Sequence, residues 1–221
     1  VDPKPGKDIV LSLDVHLQEA AENALGGRRG AVVAIDPNNG EVLAMVSQPS
    51  FDPNPFVTGI SFKAYGELRD SIDQPLYNRV LRGLYPPGST IKPMVAVAGL
   101  DAGVVTPQTR VFDPGFYQLP NHSHKYRNWN RSGDGWVDLN LAIARSNDTY
   151  FYDLAHKMGV DRMHDYMSRF GLGQRVALDM FEETAGLMPS RDWKRARYRQ
   201  PWYPGETLIL GIGQGLSLIH I

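Results

Sequence analysis

The clearest hydrophobic pattern in the chain is a pair of apolar segments separated by turn-forming residues. Residues 31–35 (AVVAI) and 41–47 (EVLAMVS) flank the sequence DPNNG at 36–40. Because Asp, Pro, Asn and Gly favour turns, this pattern predicts a β-hairpin. Both arms are apolar at nearly every position, so we expect strands that are covered on both faces. Residues 9–14 (IVLSLD) predict one further short strand.

Helical spacing of apolar residues dominates the rest of the chain. Residues 15–25 place Val, Leu and Ala on one face, with Asp14 positioned as the N-cap and Gly26 at the end. Further helices are predicted at about 61–70, 90–103, 138–145, 149–158 and 161–171. A hairpin followed by a run of helices indicates a mixed α/β or α+β class.

The connections between these elements are also informative. Residues 48–80 contain four prolines and predict a long, ordered connection with one short helix. Residues 172–190 predict strand and turn. Gly103, Gly159 and Gly171 stand where helices are expected to end.

Composition narrows the class of protein. A 221-residue chain with 42% hydrophobic and 21% charged residues is typical of a folded globular protein. The net charge of −1 gives no global attraction to nucleic acid, and no such partner is expected. The absence of cysteine excludes thiolate catalysis and cysteine-rich zinc sites. Residues 191–199 (RDWKRARYR) are locally basic and form either a solvated surface or a contact with an anionic polymer or lipid headgroup.

The candidate chemistry begins in residues 85–93 (YPPGSTIKP). Pro93 is tolerated only in the first turn of a helix, which places the helix start near Ser89. Main-chain N–H groups at such an end can face a developing oxyanion. Lys92 lies three residues on, and desolvation lowers the pKa of a lysine, so its amine can take the Ser89 proton. The alternative is that Ser89 is a simple N-cap and Lys92 a surface lysine.

A second polar element, residues 144–150 (ARSNDTY), lies between two predicted helices. The Ser146 hydroxyl can relay a proton toward Lys92 or the leaving group. Asp148 can orient that network or hold a substrate amide. Ser146 or Asp148 also qualifies as the N-cap of the next helix, and the two roles are compatible. S-x-x-K with S-D-N and K-T-G is the motif set of class A β-lactamases and penicillin-binding proteins, and this chain has the first motif and a similar Ser-Asn-Asp at the second.

Several segments together resemble penicillin-binding protein 2, the class B family of monofunctional transpeptidases of bacterial cell elongation. These segments are GRRGAVVAIDPNNGEVLAMVSQPSFDPN, YPPGSTIKP, FDPGFYQLP, SNDTYFYDLAHKMG, FGLG and GIGQG. The resemblance runs from about residue 9 to Gly215. It implies a penicillin-binding protein/β-lactamase-like transpeptidase fold, represented here by the N-terminal hairpin of the central sheet and the helical subdomain.

The resemblance also implies a domain organisation. Residues 1–28 would end an N-terminal non-catalytic linker or pedestal region, and residues 29–215 would be the N-terminal part of the transpeptidase domain. Residues 216–221 (LSLIHI) are expected to be a non-native tail, because one reading frame of a common sequencing adapter encodes them; an ordinary short C-terminal strand is the alternative. The family's K-T/S-G motif is not in the sequence, so we expect a truncated, inactive fragment.

The reaction that the resemblance implies is peptidoglycan cross-linking. Ser89 would attack the penultimate D-Ala carbonyl of a stem peptide, and the acyl group would pass to the amine of a neighbouring stem peptide. β-Lactams would acylate the same serine. Lys92 would be the general base, assisted by Ser146 and Asp148. The residues expected to contact substrate are Asn147, Gly88 and Trp129.

The implied partners are peptidoglycan stem peptides, β-lactam antibiotics, a membrane glycosyltransferase and scaffold proteins of the elongation complex, at the periplasmic face of the bacterial inner membrane. No cofactor is expected. Some relatives carry a structural metal between the first two motifs. No metal is expected here, because two of the four corresponding positions are amides and none is His or Cys. Those positions are Asp113, Asn128, Asp134 and Asn147. The nearby His122 and His124 are interpreted as loop residues, since further zinc ligands are lacking.

Other functions remain open at this point. A D,D-carboxypeptidase or β-lactamase would use the same serine, and a β-lactamase would need a deacylating base such as Glu182 or Glu183. A non-catalytic penicillin-recognising sensor or scaffold is a third reading. The aromatic residues Tyr126, Trp129 and Trp136 either line a substrate cleft or pack in the core.

Overall fold

The computed structural model describes residues 6–177 and 179–215, which divide after Gly83 into two compact units. In the first unit, β1 (Gly30–Ile35) and β2 (Val42–Gln48) pair antiparallel, with Val33 opposite Met45. The predicted hairpin is therefore confirmed. Its turn is closed by a hydrogen bond from the Gly40 N–H to the Asp36 carbonyl at 2.8 Å.

The prediction that both arms are covered on both faces is wrong for β1. Val33 and Ile35 are 40% and 56% exposed, whereas Ala44 and Val46 of β2 are buried. Alternation of exposed and covered positions marks a strand with one face against the core. Within the described residues, nothing packs on the outer face of β1 closely enough to bury it.

Helix α1 (Val15–Leu25) forms as its caps predict. The Asp14 carboxylate accepts hydrogen bonds from the N–H groups of His16 and Leu17, and Gly26 takes a left-handed conformation at φ 57°. The Gln18 side chain joins α1 to β2, because its amide both donates to and accepts from the Met45 main chain at 3.1 and 2.8 Å.

The strand predicted at residues 9–14 is wrong. Only two hydrogen bonds join this segment to β2, one from the Asp14 N–H to Leu43 O and one from Ser12 Oγ to Val42 O. Ile9 and Val10 are 82% and 96% exposed. A strand requires a continuous ladder of main-chain partners, which the described part of the chain does not supply here.

Residues 48–80 are ordered, as predicted, and contain short helices. These are α2 (Asn54–Thr58), α3 (Phe62–Arg69) and α4 (Arg79–Arg82). The buried Arg79 guanidinium fixes the end of this connection by donating to the carbonyls of Asp73, Gln74 and Tyr77.

The second unit is mainly helical, with two small two-stranded sheets. Its helices are α5 (Lys92–Asp101), α6 (Leu139–Ala144), α7 (Asp148–Arg169), α8 (Arg191–Tyr198) and α9 (Pro204–Leu210). Its strands are β3 (Val111–Asp113) paired with β6 (Gly135–Val137), and β4 (Phe116–Gln118) paired with β5 (Lys125–Arg127).

Helix α7 is the centre of this unit's core. Gly159, at φ 74° and ψ 161°, interrupts it, so the two helices predicted at 149–158 and 161–171 appear as its two arms. Small residues let neighbouring helices come close. A Cβ on Gly99 of α5 would lie 2.8 Å from the Leu154 side chain, and one on Gly211, just after α9, would overlap Ala155.

The strand predicted within residues 172–190 is wrong for the described residues, where turns prevail and Leu187 alone forms an isolated bridge. The buried Glu183 explains how this segment holds together. Its carboxylate accepts hydrogen bonds from the N–H groups of Val176 and Ala177 at 2.9 and 3.0 Å. These main-chain groups are thus paired with a side chain and not with a neighbouring strand.

The mixed helix and strand class is confirmed. The boundary expected between residues 28 and 29 stays a prediction, and the expected tail at 216–221 lies outside the described residues. Among the helices of the described residues, none combines the length and the apolar character that crossing a membrane requires.

Candidate active site

The candidate nucleophile lies on a short 3-10 turn, Gly88–Ile91, that runs directly into α5. The α-helix therefore begins at Lys92, three residues later than predicted, with Pro93 in its first turn. Ser89 is exposed, and its hydroxyl forms no hydrogen bond with the described residues. The Ser89 Oγ is thus free to approach an external carbonyl.

Lys92, in contrast, is only 1% exposed, which excludes the reading of a surface lysine. Its ammonium nitrogen lies 2.7 Å from the Ser146 carbonyl oxygen, 3.1 Å from Ser146 Oγ and 2.7 Å from Asp148 Oδ1. The face of the Phe151 ring lies beside it, with the centroid at 5.4 Å. The structure therefore brings Lys92, Ser146 and Asp148 together, one turn beyond Ser89.

Burial lowers the pKa of Lys92 below its ordinary value, because the charged form loses its hydration. The hydrogen bond and negative charge of Asp148 act in the opposite direction and offset part of this effect. The net result favours a neutral amine at lower pH than for a lysine in water, which is what a general base needs.

The turn between α6 and α7 presents Ser146 and Asp148 to Lys92. Ser146 has a left-handed conformation with φ 51°, and its N–H donates to Ile143 O at 3.1 Å. The predicted N-cap at Ser146 or Asp148 is wrong, because Asn147 caps α7 by accepting from the Tyr150 N–H at 2.9 Å. Capping by the middle residue leaves both neighbouring side chains available to the lysine.

Asp113, which is 1% exposed, is the centre of a buried polar cluster behind this turn. Its carboxylate accepts hydrogen bonds of 2.6 to 3.0 Å from Gly115 N, Asn128 Nδ2, Asp134 N, Asn147 Nδ2 and Thr149 Oγ1. The four positions that correspond to a metal site in some relatives therefore do converge. Here N–H and O–H donors surround the carboxylate, and the described residues contain no group of three or more His, Cys, Asp or Glu placed to hold a metal.

Asn128 connects this cluster to the lysine. Its side-chain oxygen accepts from the Asp148 N–H at 3.0 Å and from the Trp129 N–H at 2.9 Å, while its amide nitrogen binds Asp113. Sequence reasoning missed this positioning role of Asp113 and Asn128. The only sequence signal for these two residues is that they stand at positions that correspond to a metal site in some relatives.

Asn147 is fully buried, and its amide nitrogen donates to Asp113 Oδ2 and Asp134 Oδ2 at 2.7 and 2.9 Å. A direct substrate contact by Asn147 would require these bonds or its helix cap to break. In this structure Asn147 instead holds the turn that carries Ser146 and Asp148.

The three aromatic residues take different environments. Trp129 is 64% exposed, and its indole N–H donates to Arg145 O at 2.9 Å, which fixes the ring at the rim of the site. Trp136 is also exposed and packs edge-on against Phe112. Tyr126 packs against the hydrophobic core instead, with its ring 5.8 Å from that of Tyr152. The two tryptophans are therefore exposed to a ligand, and Tyr126 is half-buried but also lines a cavity with Trp202 and Tyr203.

The family of the chain follows from these motifs and from a direct comparison. The family model described as the penicillin-binding protein transpeptidase domain matches residues 30–221. The chain belongs to this family. The transpeptidase fold expected from the resemblance is thereby confirmed.

Two curated relatives of this transpeptidase chain are named peptidoglycan D,D-transpeptidase MrdA. The protein from Acinetobacter baumannii is 54% identical over 97% of this chain, and that from Escherichia coli strain K12 is 49% identical over 97%. The chain spans 32% and 34% of the length of these relatives.

Solved structures agree with this membership. The transpeptidase chain is 80% identical to Pseudomonas aeruginosa PBP2 in complex with WCK 5153, with a TM-score of 0.95 over 98% of this chain and 47% of that one. A complex of PBP2 and MreC from Helicobacter pylori is 36% identical, with a TM-score of 0.88 over 93% and 38% of the two chains. A peptidoglycan synthase complex described as coordinating polymerization and crosslinking is 39% identical, with a TM-score of 0.84 over 97% and 40%.

Proposed function

We propose that these residues form part of a serine peptidoglycan D,D-transpeptidase, with Ser89 as the nucleophile. The observation that carries this proposal is the buried Lys92 amine, held by Ser146 and Asp148, one turn beyond an exposed serine. A buried lysine with a lowered pKa, one helical turn from a serine hydroxyl that bonds to none of the described residues, is an arrangement that can activate the serine.

In the acylation step, the neutral Lys92 amine takes the proton of Ser89 as Oγ bonds to the penultimate D-Ala carbonyl carbon. The resulting oxyanion is stabilised by main-chain N–H groups at the start of α5, of which that of Ser89 is the first candidate. When the C–N bond breaks, the proton returns from Lys92 to the departing D-Ala amine, and Ser146 Oγ, 3.1 Å from the lysine, offers the relay.

In the second step, the amine of a neighbouring stem peptide attacks the acyl-enzyme and gives its proton to the same base. The new amide bond forms as the bond to Ser89 Oγ breaks, and the hydroxyl is restored. Gly88 and the exposed Trp129 border the place where the substrate would lie. We assign Asn147 to holding the turn, because its amide is already engaged.

The test uses a chimera in which residues 6–215 replace the corresponding segment of the 80% identical Pseudomonas aeruginosa PBP2. We expect intact mass to show one covalent adduct after incubation with penicillin, located on Ser89 by peptide mapping. Ser89→Ala should abolish the adduct. The matched control is Thr90→Val, which removes the neighbouring exposed hydroxyl, and there the adduct should still form. An adduct that persists in Ser89→Ala would contradict the proposal.

The lifetime of that adduct separates the transpeptidase from hydrolases on the same scaffold. A β-lactamase needs a base aimed at the acyl-enzyme, but both oxygens of Glu183 are occupied by the main chain of its own loop. We therefore expect an acyl-enzyme that lasts for hours. Turnover within seconds would instead favour a β-lactamase. Complementation by Ser89→Ala in cells would favour a scaffold, whereas a sensor would still acylate at Ser89 but lack cross-linking activity.

We further propose stem peptides, a membrane glycosyltransferase and elongation scaffold proteins as partners, at the periplasmic face of the inner membrane. The Helicobacter pylori complex with MreC and the peptidoglycan synthase complex support such partners, since those similar proteins form assemblies of this kind. Co-purification of the chimera with a tagged glycosyltransferase tests the contact with that partner.

A further inference from the structure

The loop that follows α9 lies directly against the main chain of the nucleophile's turn. The Gly88 N–H donates to the Gly213 carbonyl at 3.0 Å. Both glycines have positive φ, 55° at Gly88 and 71° at Gly213, a conformation that other residues adopt only with strain. This hydrogen bond joins the turn before Ser89 to a distant part of the chain.

The contact leaves no space for a side chain at position 213. A Cβ there would overlap the Gly88 carbonyl oxygen and would lie 2.7 Å from Gly88 N and 2.8 Å from Gly88 C. All of these atoms belong to the main chain, so no side-chain rotation can relieve the overlap. Either the loop or the nucleophile's turn must move.

The loop is the better anchored of the two segments. The N–H groups of Gly213 and Gln214 donate to Leu210 O and Ile209 O at 3.0 and 3.1 Å. Gly211 packs against Ala155 of α7 with no room for a Cβ. By contrast, the other hydrogen bonds at the start of the nucleophile's turn are local, from Thr90 to Pro87 O. A side chain at 213 would therefore displace the turn rather than the loop.

We propose that Gly213 is a positioning residue for the acylation of Ser89. Its carbonyl holds the Gly88 N–H, and its missing side chain lets the turn approach, so that the Ser89 hydroxyl and N–H keep their places beside Lys92. The inference rests on the proposed function, because it assigns Gly213 a part in that same reaction. Sequence reasoning used GIGQG only as a mark of family resemblance and missed this role.

The test compares Gly213→Ala with Gly103→Ala in the chimera. Gly103 also has positive φ, 64°, but no atom lies within 4 Å of a Cβ there. Both variants therefore carry the same backbone strain, and only one disturbs the turn. We expect Gly213→Ala to lower the acylation rate constant for penicillin by on the order of 10- to 100-fold, since small displacements of reacting groups have effects of this size. Gly103→Ala should acylate at the unmodified rate.

A second pair of variants tests the same contact without adding atoms at position 213. It can be used if Gly213→Ala does not fold. Replacing the Gly88 amide by an ester, with glycolic acid introduced during translation, removes the N–H that Gly213 holds. The matched control is the same ester at Gly103, whose N–H donates to Leu100 O at 3.0 Å away from the site. We expect slower acylation in the first and an unmodified rate in the second.

Two results would overturn the inference. One is acylation of Gly213→Ala, or of the Gly88 ester, at the unmodified rate. The other is equal slowing in the variant and its Gly103 control, which would assign the effect to general destabilisation. An unmodified chimera that forms no Ser89 adduct would overturn the proposed function itself, and with it this inference, so the two failures are distinguishable.

Discussion

Lys92 shows how a single residue combines burial with reactivity. An amine that is 1% exposed is tolerated because the Ser146 carbonyl and the Asp148 carboxylate accept its hydrogen bonds. Desolvation lowers its pKa, and Asp148 raises it again in part. The balance of these two effects determines the pH at which the base becomes neutral.

This balance predicts the pH dependence of acylation. The rate should rise with pH as Lys92 loses its proton, with an inflection below the ordinary lysine value of about 10.4. Asp148→Asn removes the group that raises this pKa, so the inflection should move to lower pH even though the maximal rate falls. Stopped-flow acylation of the chimera from pH 5 to 10 measures both. Asp101→Asn, at the surface and bonded to Tyr166, should leave the inflection unchanged, and an upward move in Asp148→Asn would contradict the assignment.

Asp113 has a different role, since it touches none of the reacting groups and instead accepts hydrogen bonds from the residues around it. Asp113→Ala would leave five buried donors without their acceptor, each at a cost of roughly 1–3 kcal/mol before relaxation. We expect a net loss of about 3–5 kcal/mol in the free energy of unfolding, measured by urea titration of the chimera. Asp165→Ala, at an exposed position on α7, should change it by less than about 0.5 kcal/mol. A small loss in Asp113→Ala would mean that water replaces the carboxylate.

At the scale of elements, α8 and α9 are joined by a buried ion pair. The sequence predicts a solvated or anion-binding basic surface at residues 191–199, but Lys194 is 1% exposed and its amine lies 2.6 Å from Glu206 Oε2. The Tyr203 ring lies beside the same amine, with its centroid at 4.3 Å. Arg195, Arg197 and Arg199 remain exposed, so the two interpretations still apply to them.

The asymmetry of this pair predicts unequal effects of its two single variants. Glu206→Gln leaves a buried ammonium without a counter-charge and should destabilise by about 3–5 kcal/mol. Lys194→Met leaves only the more exposed carboxylate and keeps an apolar stem against Tyr203, so its effect should be smaller. The double variant should recover part of the loss of Glu206→Gln. Thermal unfolding of the two single variants and the double variant, each in the chimera, completes a double-mutant cycle. Additive effects on stability would argue against direct coupling of Lys194 and Glu206.

Some helices and strands can be predicted from local sequence patterns alone. The hairpin, α1 and the two arms of α7 follow from turn residues, caps and glycines close in sequence. Within the part of the chain that the structure describes, the strands expected at 9–14 and 172–190 do not form, because a strand needs partners that its own sequence does not specify. The helix start at Ser89 shifts because Gly88, held at positive φ, opens a 3-10 turn first.

At the scale of the whole molecule, sequence motifs predict the family and the four residues that we propose for the chemistry. They do not predict the residues that hold those four in position. Ser89 with Lys92, and Ser146 with Asp148, are each close in sequence, and S-x-x-K is a recognisable spacing. Asp113, Asn128 and Gly213 act through contacts between distant segments, which no single-sequence pattern records. The role of these three positioning residues is therefore seen only in the folded structure.

One of the bonds to Lys92 determines which positions of this site tolerate substitution. The Ser146 acceptor at 2.7 Å is a main-chain oxygen, present whichever amino acid occupies position 146. A substitution at position 146 that keeps the conformation of the turn therefore leaves this acceptor in place. Substitutions at solvent-facing places such as Trp129 alter the rim of the site without entering its buried interior.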